Sequence, residues 1–184
     1  MLFFLIGVSG VGKSVIRQHL ATNFSLLTFD LDCISYSHHI YSSLSSFHKS
    51  ESLPDLFNRI GADRFFEYGR DFLVNWELMT SPTVPIIIDV GAGFLHSSYA
   101  HNYLSKKKVF HIYTDDSISY GRYFNRSNGM GVISQLDHID SCNFIRLFCA
   151  DLKYCTYINA ALSPDIVANS TFDRIKLELI SAFN

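Results

Sequence analysis

The strongest constraint on the fold of this chain lies in its first fourteen residues. An apolar run, residues 2–6, leads directly into GVSGVGKS at residues 7–14, which fits the pattern G-x-x-x-x-G-K-[ST]. Helical periodicity follows, so the pattern stands between a buried strand and a helix, as a phosphate-binding loop requires. The glycines let backbone N–H groups approach phosphate oxygens, and the helix directs its positive end at the same anion. The chain is therefore predicted to bind a nucleoside triphosphate.

Six residues of this loop are expected to contact the nucleotide, namely Gly10, Val11, Gly12, Lys13, Ser14 and Val15. The Lys13 ammonium can reach the β- and γ-phosphates, and the Ser14 hydroxyl can ligate Mg²⁺. An ordinary glycine-rich turn between a strand and a helix is the alternative, but all four defining positions of the pattern are matched.

Length, charge and cysteine pattern narrow the class of protein further. A chain of 184 residues with 48% hydrophobic and 17% charged residues suits one globular domain with a well-filled core. A net charge of −2 leaves no basic footprint for nucleic acid or an anionic membrane, and no apolar run is long enough to span a bilayer. The four cysteines lack C-x-x-C spacing, so we expect reduced, buried thiols and a cytoplasmic protein. A monomer is the default expectation.

Three aspartates follow predicted strands. Asp30 and Asp32 end the strand predicted over residues 25–31, and Asp89 ends the apolar strand predicted over residues 85–90. Ligands of parallel α/β sheets bind at the carboxyl ends of the strands, where a magnesium ligand and a base for an acceptor hydroxyl are needed. Asp30 and Asp32 would share one strand face, although a solvated turn is the alternative. Asp89 fits the strand aspartate that holds the water shell of Mg²⁺.

Helices are predicted in the middle of the chain. Residues 34–51 fit either a helix with a ragged end or a mobile loop. Ser52 is expected to cap a helix that Gly61 ends. A longer helix is predicted over residues 63–79, with an apolar face formed by Phe65, Phe66, Phe72, Leu73, Trp76 and Leu78.

The second half of the chain continues the alternation of strands and helices. A short helix over residues 97–104, a strand over 109–113 and a helix over 117–125 are predicted, followed by a Gly-containing segment, residues 127–131, typical of a closing lid. Arg122 and Arg126 flank this segment and can stack on adenine or stabilise the transferring phosphate, or they are solvated helix charges.

The end of the chain completes the predicted fold. Residues 133–159 have a helical pattern, residues 165–168 are predicted as the last strand, and residues 171–183 as a closing helix. Alternating strands and helices predict a three-layer α/β/α fold with a parallel sheet and right-handed crossovers.

The order of these features resembles shikimate kinase, among the small P-loop kinases. The resemblance covers essentially the whole chain, through LIGVSGVGKS, FDLD, SLPDLFNRIGADRFFEY and IDVGAG. It implies a five-stranded parallel sheet of order 2-3-1-4-5 in a single kinase domain, residues 1–184. It also implies acceptor-binding helices at about residues 33–80, a lid at about residues 126–135, the cofactors ATP and Mg²⁺, and a small-molecule acceptor with a hydroxyl group.

The resemblance also implies roles for individual residues. Lys13, Asp32 and Arg126 are expected to be catalytic, with Asp32 contacting the acceptor hydroxyl as a base and Arg126 nearest to the family's lid arginine. Arg122 is expected against adenine. The expected metal ligands are Ser14, Asp30 and Asp89, the last replacing a Ser or Thr of the family.

Departures from the family fall on the acceptor side. The family's carboxylate-binding arginine is replaced by Phe66, its glutamate by Gly69, and a second arginine aligns with Lys153. The residues expected to face the acceptor are Asp32, Phe66, Gly91, Ala92, Gly93 and Lys153. An arginine–carboxylate pair is bidentate and charge-assisted, so its loss argues against shikimate as the acceptor. Three arginines on neighbouring turns could restore carboxylate binding, namely Arg59, Arg64 and Arg70.

Three functional hypotheses are compatible with these patterns. The first is a kinase that phosphorylates a hydroxyl of a small metabolite. The second is a catalytically silent nucleotide-binding module with a regulatory role. It is favoured by the missing substrate and lid arginines and by Ala92, which replaces the middle glycine of the family's Gly-Gly-Gly. The third is a nucleotide or nucleoside kinase, which is weaker because no arginine pair for an acceptor phosphate stands out.

Overall fold

A computed structural model describes residues 1–42, 52–79, 83–126 and 133–183. Five parallel strands form one sheet: β1 (Leu2–Ile6), β2 (Leu27–Asp30), β3 (Ile86–Val90), β4 (Lys108–Tyr113) and β5 (Cys155–Asn159). Their order across the sheet is β2-β3-β1-β4-β5. Helices cover both faces. The predicted three-layer α/β/α class and the 2-3-1-4-5 order are therefore confirmed.

Helices connect the strands throughout. They are α1 (Lys13–Phe24), α2 (Leu31–Ser42), α3 (Leu53–Ile60), α4 (Ala62–Phe65), α5 (Glu67–Met79), α6 (Ala100–Leu104), α7 (Asp116–Arg126), α8 (Gln135–Ala150) and α9 (Pro164–Phe183), with a 3-10 turn at Ala92–His96. The Ser52 hydroxyl accepts a hydrogen bond from the backbone N–H of Asp55, and Gly61 ends α3 with a φ of 78°. Both predicted caps of α3 are confirmed.

The central strands are buried from end to end. Every residue of β1 and β3 is buried, as expected of parallel strands covered on both faces. Phe3 stacks on Phe110 at 5.8 Å, whereas Phe4 meets Tyr103 edge-on at 5.8 Å. Phe110 belongs to β4 and Tyr103 to α6, so the first contact joins neighbouring strands and the second joins the sheet to a helix. The loop that follows β1 is therefore anchored to a buried, well-packed strand.

The turn from β2 into α2 differs from the prediction. The strand ends at Asp30, whose carboxylate accepts a hydrogen bond of 3.0 Å from the backbone N–H of Cys33. This contact caps α2, so Asp32 lies in the first turn of a helix and does not share a strand face with Asp30. The helix runs to residue 42, and residues 43–51 lie outside the described part of the chain.

The helix predicted over residues 63–79 is interrupted at Phe66. The break separates α4 from α5 and lets two consecutive rings enter the core, because Phe65 and Phe66 are both buried and pack edge-on at 4.7 Å. Leu78 was expected on the apolar face, but 81% of its surface is exposed.

The C-terminal strand assignment is wrong. Residues 165–168 lie inside α9, which starts with Pro164 in the position where proline favours helix initiation. The last strand is β5, within the stretch predicted to be helical. A short apolar run does not distinguish a strand from a buried helical turn, since Val167 and Ala168 are buried from α9.

Other predictions have mixed outcomes. Cys142 and Cys149 are buried free thiols as expected, but Cys33 is exposed. Among the described residues, no helix combines the length and the apolarity needed to cross a bilayer. The division into acceptor-binding helices and a lid stays a prediction, and residues 127–132 of the lid are outside the described residues.

Candidate active site

The loop after β1 has the backbone conformation of a phosphate cradle. Gly10 and Gly12 have φ values of 84° and 106°, in the left-handed region that glycine adopts without strain. The Gly12 carbonyl accepts hydrogen bonds from the backbone N–H groups of Val15 and Ile16 at 3.1 and 3.0 Å. Helix α1 therefore begins at Lys13, and its N-terminus faces the space enclosed by the loop.

Two contacts hold the loop and its lysine in place. The Lys13 ammonium donates to the carbonyl oxygens of Gly7 at 2.7 Å and Val8 at 3.3 Å, so the charge lies over the loop. A Cβ atom on Gly10 would lie 2.2 Å from the carbonyl oxygen of Ser119 in α7. The loop is thus pressed against α7, and only glycine fits at that contact.

The sheet brings two of the aspartates side by side. Asp30 at the end of β2 and Asp89 in β3 are direct Cα partners across the parallel pair. The Ser14 hydroxyl donates to Asp89 Oδ2 at 3.2 Å, which joins the loop to this pair. Burial raises the pKa of Asp89, whereas Lys13 nearby favours its charged form.

Arg17 is a member of this cluster that sequence reasoning missed. Its guanidinium lies 3.5 Å from Asp30 Oδ2 and 3.5 Å from Asp89 Oδ2, between the two carboxylates. The spacing of Arg17 in the sequence could have indicated this position, because Arg17 follows Ser14 by three residues and therefore lies on the same face of the helix.

Asp32 is half-buried, and its carboxyl lies close to the backbone of Gly91. Burial, followed by the charge of Asp30, raises its pKa to about 6, while Lys13 acts in the opposite direction. The Gly91 N–H donates to the Asp32 carboxyl. Its Oδ1 atom is buried and has no hydrogen-bond partner within the described part of the chain. Such an oxygen is suited to accept a hydrogen bond from a bound hydroxyl.

The phosphate loop and the three aspartates line one cavity of about 870 Å³ at the carboxyl ends of the strands. Most of the predicted site residues line it, namely Gly10, Val11, Gly12, Lys13, Ser14, Val15, Asp30, Asp32, Phe66, Asp89, Gly91, Ala92, Gly93, Arg122 and Arg126. The volume is within the usual range for a small-molecule site.

Lys153 is the predicted site residue that the structure does not bring to this cavity. It precedes β5 and lies over the ring of Tyr154, with its ammonium 4.9 Å from the ring centre. The cavity is at the carboxyl ends of the strands, so a residue at the start of β5 is at the opposite end of the sheet. This position corrects the alignment of Lys153 with an acceptor-binding arginine.

Several lining residues escaped sequence reasoning. On the acceptor side they are Leu53, Pro54, Phe57 and Asn58 of α3, together with His96. On the nucleotide side they include Tyr123, His138, Ala160 and Leu162. The capped α3 was predicted, but its periodicity could not show which face looks into the cavity.

The nucleotide side is organised around α7. The Arg122 guanidinium donates to the carbonyl oxygen of Ala160 at 3.4 Å, which ties α7 to the segment after β5. The Ser119 hydroxyl and His138 Nε2 are 2.9 Å apart and join α7 to α8. Arg122 therefore lies beside the loop, on the side of the sheet where β4 and β5 end.

The donor set fits magnesium bound together with a phosphate chain. Among the described residues, no three His, Cys, Asp or Glu side chains are placed to hold a metal by themselves. Mg²⁺ usually takes one or two carboxylates, retains waters and completes its shell with substrate phosphates. Ser14, Asp30 and Asp89 carry side-chain oxygens of this kind next to the loop after β1.

Comparison with solved structures places the fold among small-molecule kinases. The chain is similar to a shikimate kinase from Bacteroides thetaiotaomicron, with a TM-score of 0.67 and 18% identity over 97% of this chain and 98% of that chain. It is also similar to a shikimate kinase from Acinetobacter baumannii solved with shikimate, with a TM-score of 0.62 and 16% identity over 96% and 93% of the two chains. A gluconokinase from Sinorhizobium meliloti matches with a TM-score of 0.54 and 12% identity over 99% and 97%.

The sequence itself has no comparable match. No family model matches the chain, and no curated protein sequence does either. The fold is therefore that of a shikimate kinase-like P-loop small-molecule kinase, as predicted. Identities of 12–18% establish the fold, and the chemistry of this chain has to be argued from its own residues.

Proposed function

We propose that this protein is an ATP- and Mg²⁺-dependent phosphotransferase that moves the γ-phosphate to a hydroxyl group of a small molecule. The observation that carries the proposal is Asp32. Its buried Oδ1 lines the same cavity as the phosphate loop. A protein that only senses a nucleotide has no use for a half-buried carboxyl at this place.

Separate groups of cavity residues are assigned to phosphate binding and to magnesium binding. The loop N–H groups and Lys13 hold the β- and γ-phosphates, and Ser14, Asp30 and Asp89 hold the magnesium site. Bound Mg²⁺ supplies neutralisation of the charge on the transferring phosphate. In such reactions, positioning and electrostatics provide most of the acceleration.

Asp32 orients the acceptor. The acceptor oxygen forms a bond to the γ-phosphorus as the bond from that phosphorus to the β,γ-bridging oxygen breaks, and ADP leaves. The proton of the hydroxyl passes to the Asp32 carboxylate. A pKa of about 6 leaves this group mostly charged at pH 7 yet a stronger base than an ordinary aspartate.

The positions of two arginines support assistance from the lid side. Arg122 and Arg126 both line the cavity from α7. We assign Arg122 to the adenine side and Arg126 to the transferring phosphate. The protein is proposed to act as a cytoplasmic monomer, without nucleic acid or membrane partners.

A second candidate function is a nucleotide-binding module without transfer. Phe66 is only 1% exposed and is held by edge-on contacts with Phe65 and Phe94 at 4.7 and 5.3 Å. This aromatic packing fills space where the resemblance places a substrate-binding arginine. The nucleotide side would still be complete in such a module.

Substitution of the loop lysine tests the proposed function. The proteins compared are the wild type, Lys13→Ala and the control Lys106→Ala, which lies in a turn outside the cavity. Mg-ATP binding is measured by calorimetry, and ADP release is measured with a panel of small alcohols. We expect acceptor-dependent ADP release by the wild type and by Lys106→Ala, and a loss of at least 100-fold in Lys13→Ala. Full acceptor-dependent activity in Lys13→Ala would contradict the proposal.

A further inference from the structure

The acceptor side of the cavity, defined as the part lined by α3, Phe66 and the 3-10 turn, has an apolar wall. The Phe57 ring is half-buried and meets Phe66 edge-on at 6.2 Å. Gly93 packs directly against the same ring, because a Cβ there would lie 3.0 Å from Phe57 Cε2. Leu53 and Pro54 extend the apolar wall along α3. A ring-shaped or branched apolar body fits such a surface.

Within the described ranges, no lysine or arginine lines this acceptor side. The cations that line the cavity are Lys13, Arg122 and Arg126. Lys13 is bonded to carbonyl oxygens of the phosphate loop, and α7 carries both arginines on the side of β4 and β5. All three therefore serve the nucleotide, and the polar groups facing the acceptor body are Asn58 and His96.

The three arginines near the acceptor helices are not among the described residues that line the cavity. Arg70 pairs with Asp71 at 2.9 Å and lies 5.5 Å from the ring centre of Tyr99. Arg59 and Arg64 do not line the cavity. None of the three arginines considered from the sequence therefore restores carboxylate binding.

The charged side chain at the proposed acceptor hydroxyl is negative. Asp32 lines the cavity there, whereas Asp30 and Asp89 are paired with Arg17 and belong to the proposed magnesium site. An anionic acceptor would lose its hydration next to the Asp32 carboxylate, and no lysine or arginine among the described residues of the acceptor side would compensate its charge. Burial of an unpaired charge is strongly disfavoured.

We propose that the acceptor is an uncharged molecule that carries a hydroxyl on an apolar ring or branched body. The hydroxyl lies at Asp32, the body packs against Phe57, Leu53 and Pro54, and the Asn58 amide provides a neutral hydrogen-bond partner. The assignment of the hydroxyl to Asp32 rests on the proposed function. The charge preference rests on the lining of the cavity alone.

Matched pairs of ligands test this preference. Each pair keeps the hydroxyl and the ring and differs in charge: benzyl alcohol against 4-(hydroxymethyl)benzoate, cyclohexylmethanol against 4-(hydroxymethyl)cyclohexanecarboxylate, and methyl shikimate against shikimate. Binding to the full chain with Mg-ADP is measured by saturation-transfer NMR titration. We expect the neutral member to bind at least tenfold more tightly in each pair that binds. Equal affinity, tighter binding of the anion, or no binding by any neutral member would overturn the inference.

A gain-of-charge variant sharpens the test. Asn58 is exposed on α3 and lines the cavity, so Asn58→Arg adds a cation to the acceptor side without disturbing the core. This variant is expected to shift the affinity ratio at least tenfold toward the carboxylates. Asn75→Arg, on the exposed face of α5, adds the same charge outside the cavity and is expected to leave the ratio unchanged. An identical ratio in Asn58→Arg and Asn75→Arg would contradict the proposed place of the acceptor body.

ADP release, measured with the same ligands and with Mg-ATP in place of Mg-ADP, separates the two proposals. Neutral ligands that bind and are phosphorylated support both. Neutral ligands that bind with the expected preference but are never phosphorylated support the charge preference and contradict the proposed transfer. Phosphorylation of the anionic members alone would support transfer and overturn the charge preference.

Discussion

The Asp32 carboxyl lies against the backbone of Gly91 so closely that a Cβ atom there would be 2.0 Å from Asp32 Oδ2. The Gly91 N–H donates to the same carboxyl. A glycine after β3 therefore sets the position of the proposed base, which is carried by α2. The two residues come from different crossovers of the sheet, and their contact joins the acceptor site to the strand that carries Asp89.

Gly91→Ala is expected to displace the proposed base. The added methyl group cannot be accommodated without moving the Asp32 carboxyl, and a shift of about 1 Å typically lowers the rate about 100-fold. We expect this loss in kcat/KM for the acceptor, with the affinity for Mg-ATP unchanged. Ala92→Gly is the matched control, because it removes a methyl group at the next position. Unchanged kcat/KM in Gly91→Ala would show that Asp32 is not held by this contact.

Asp32→Asn is expected to stabilise the protein free of metal and nucleotide. The folded state raises the pKa of Asp32 from 3.8 to about 6, so the folded protein disfavours the charged form and loses stability as pH rises through this interval. The gain in the free energy of unfolding should be about 3 kcal/mol at pH 8 and about 1 kcal/mol at pH 4.5.

Urea unfolding at both pH values measures this difference. Asp140→Asn, at an exposed position of α8, is the control and is expected to change stability by less than about 0.5 kcal/mol. A destabilised Asp32→Asn at pH 8 would contradict the half-buried environment of the carboxyl.

His111 should respond to pH in the opposite sense. Burial, with a smaller effect from Arg146, lowers its pKa from 6.5 to about 4. The unfolded chain binds this proton more readily, so its contribution to stability is lost as pH falls from about 6.5 to about 4. Ring NMR signals of His111 are expected to remain those of neutral imidazole down to pH 5. A titration midpoint above pH 6 would contradict the buried position.

Arg17→Met is expected to destabilise the folded protein. Asp89 is only 3% exposed, and removal of the neighbouring guanidinium leaves a buried carboxylate with less compensation. Loss of one partner of such a pair costs about 3 kcal/mol. Urea unfolding at pH 8 gives the measurement, and Arg174→Met on the exposed face of α9 is the control. Equal stability of the two variants would show that Arg17 does not compensate this charge.

The phosphate loop and the sheet could be predicted from sequence because each depends on local patterns. Gly10 and Gly12 signal a backbone conformation, and the apolar runs before and after them signal buried strands. The structure confirms the sheet order that the resemblance implied. The last strand was harder to predict, since β5 is short and its apolar pattern does not differ from that of a buried helical turn.

The acceptor side could be predicted only in part. Asp32 was predicted at the cavity but on the wrong element, because the sequence did not show that Asp30 caps α2 and places Asp32 in the first turn of that helix. Arg17, Phe57 and Asn58 were missed, since their orientation depends on how helices pack on the sheet. Lys153 was assigned by alignment to a site at the other end of the sheet.

Detection of a phosphorylated acceptor by ³¹P NMR tests the central claim most directly. The wild type, Asp32→Asn and Lys13→Ala are incubated with Mg-ATP and neutral ring alcohols. We predict a new phosphate-ester signal that requires the acceptor, forms at least 100-fold more slowly with Asp32→Asn, and is lost with Lys13→Ala. Tight Mg-ATP binding with no ester from any acceptor would contradict the kinase proposal and identify the protein as a nucleotide-binding module.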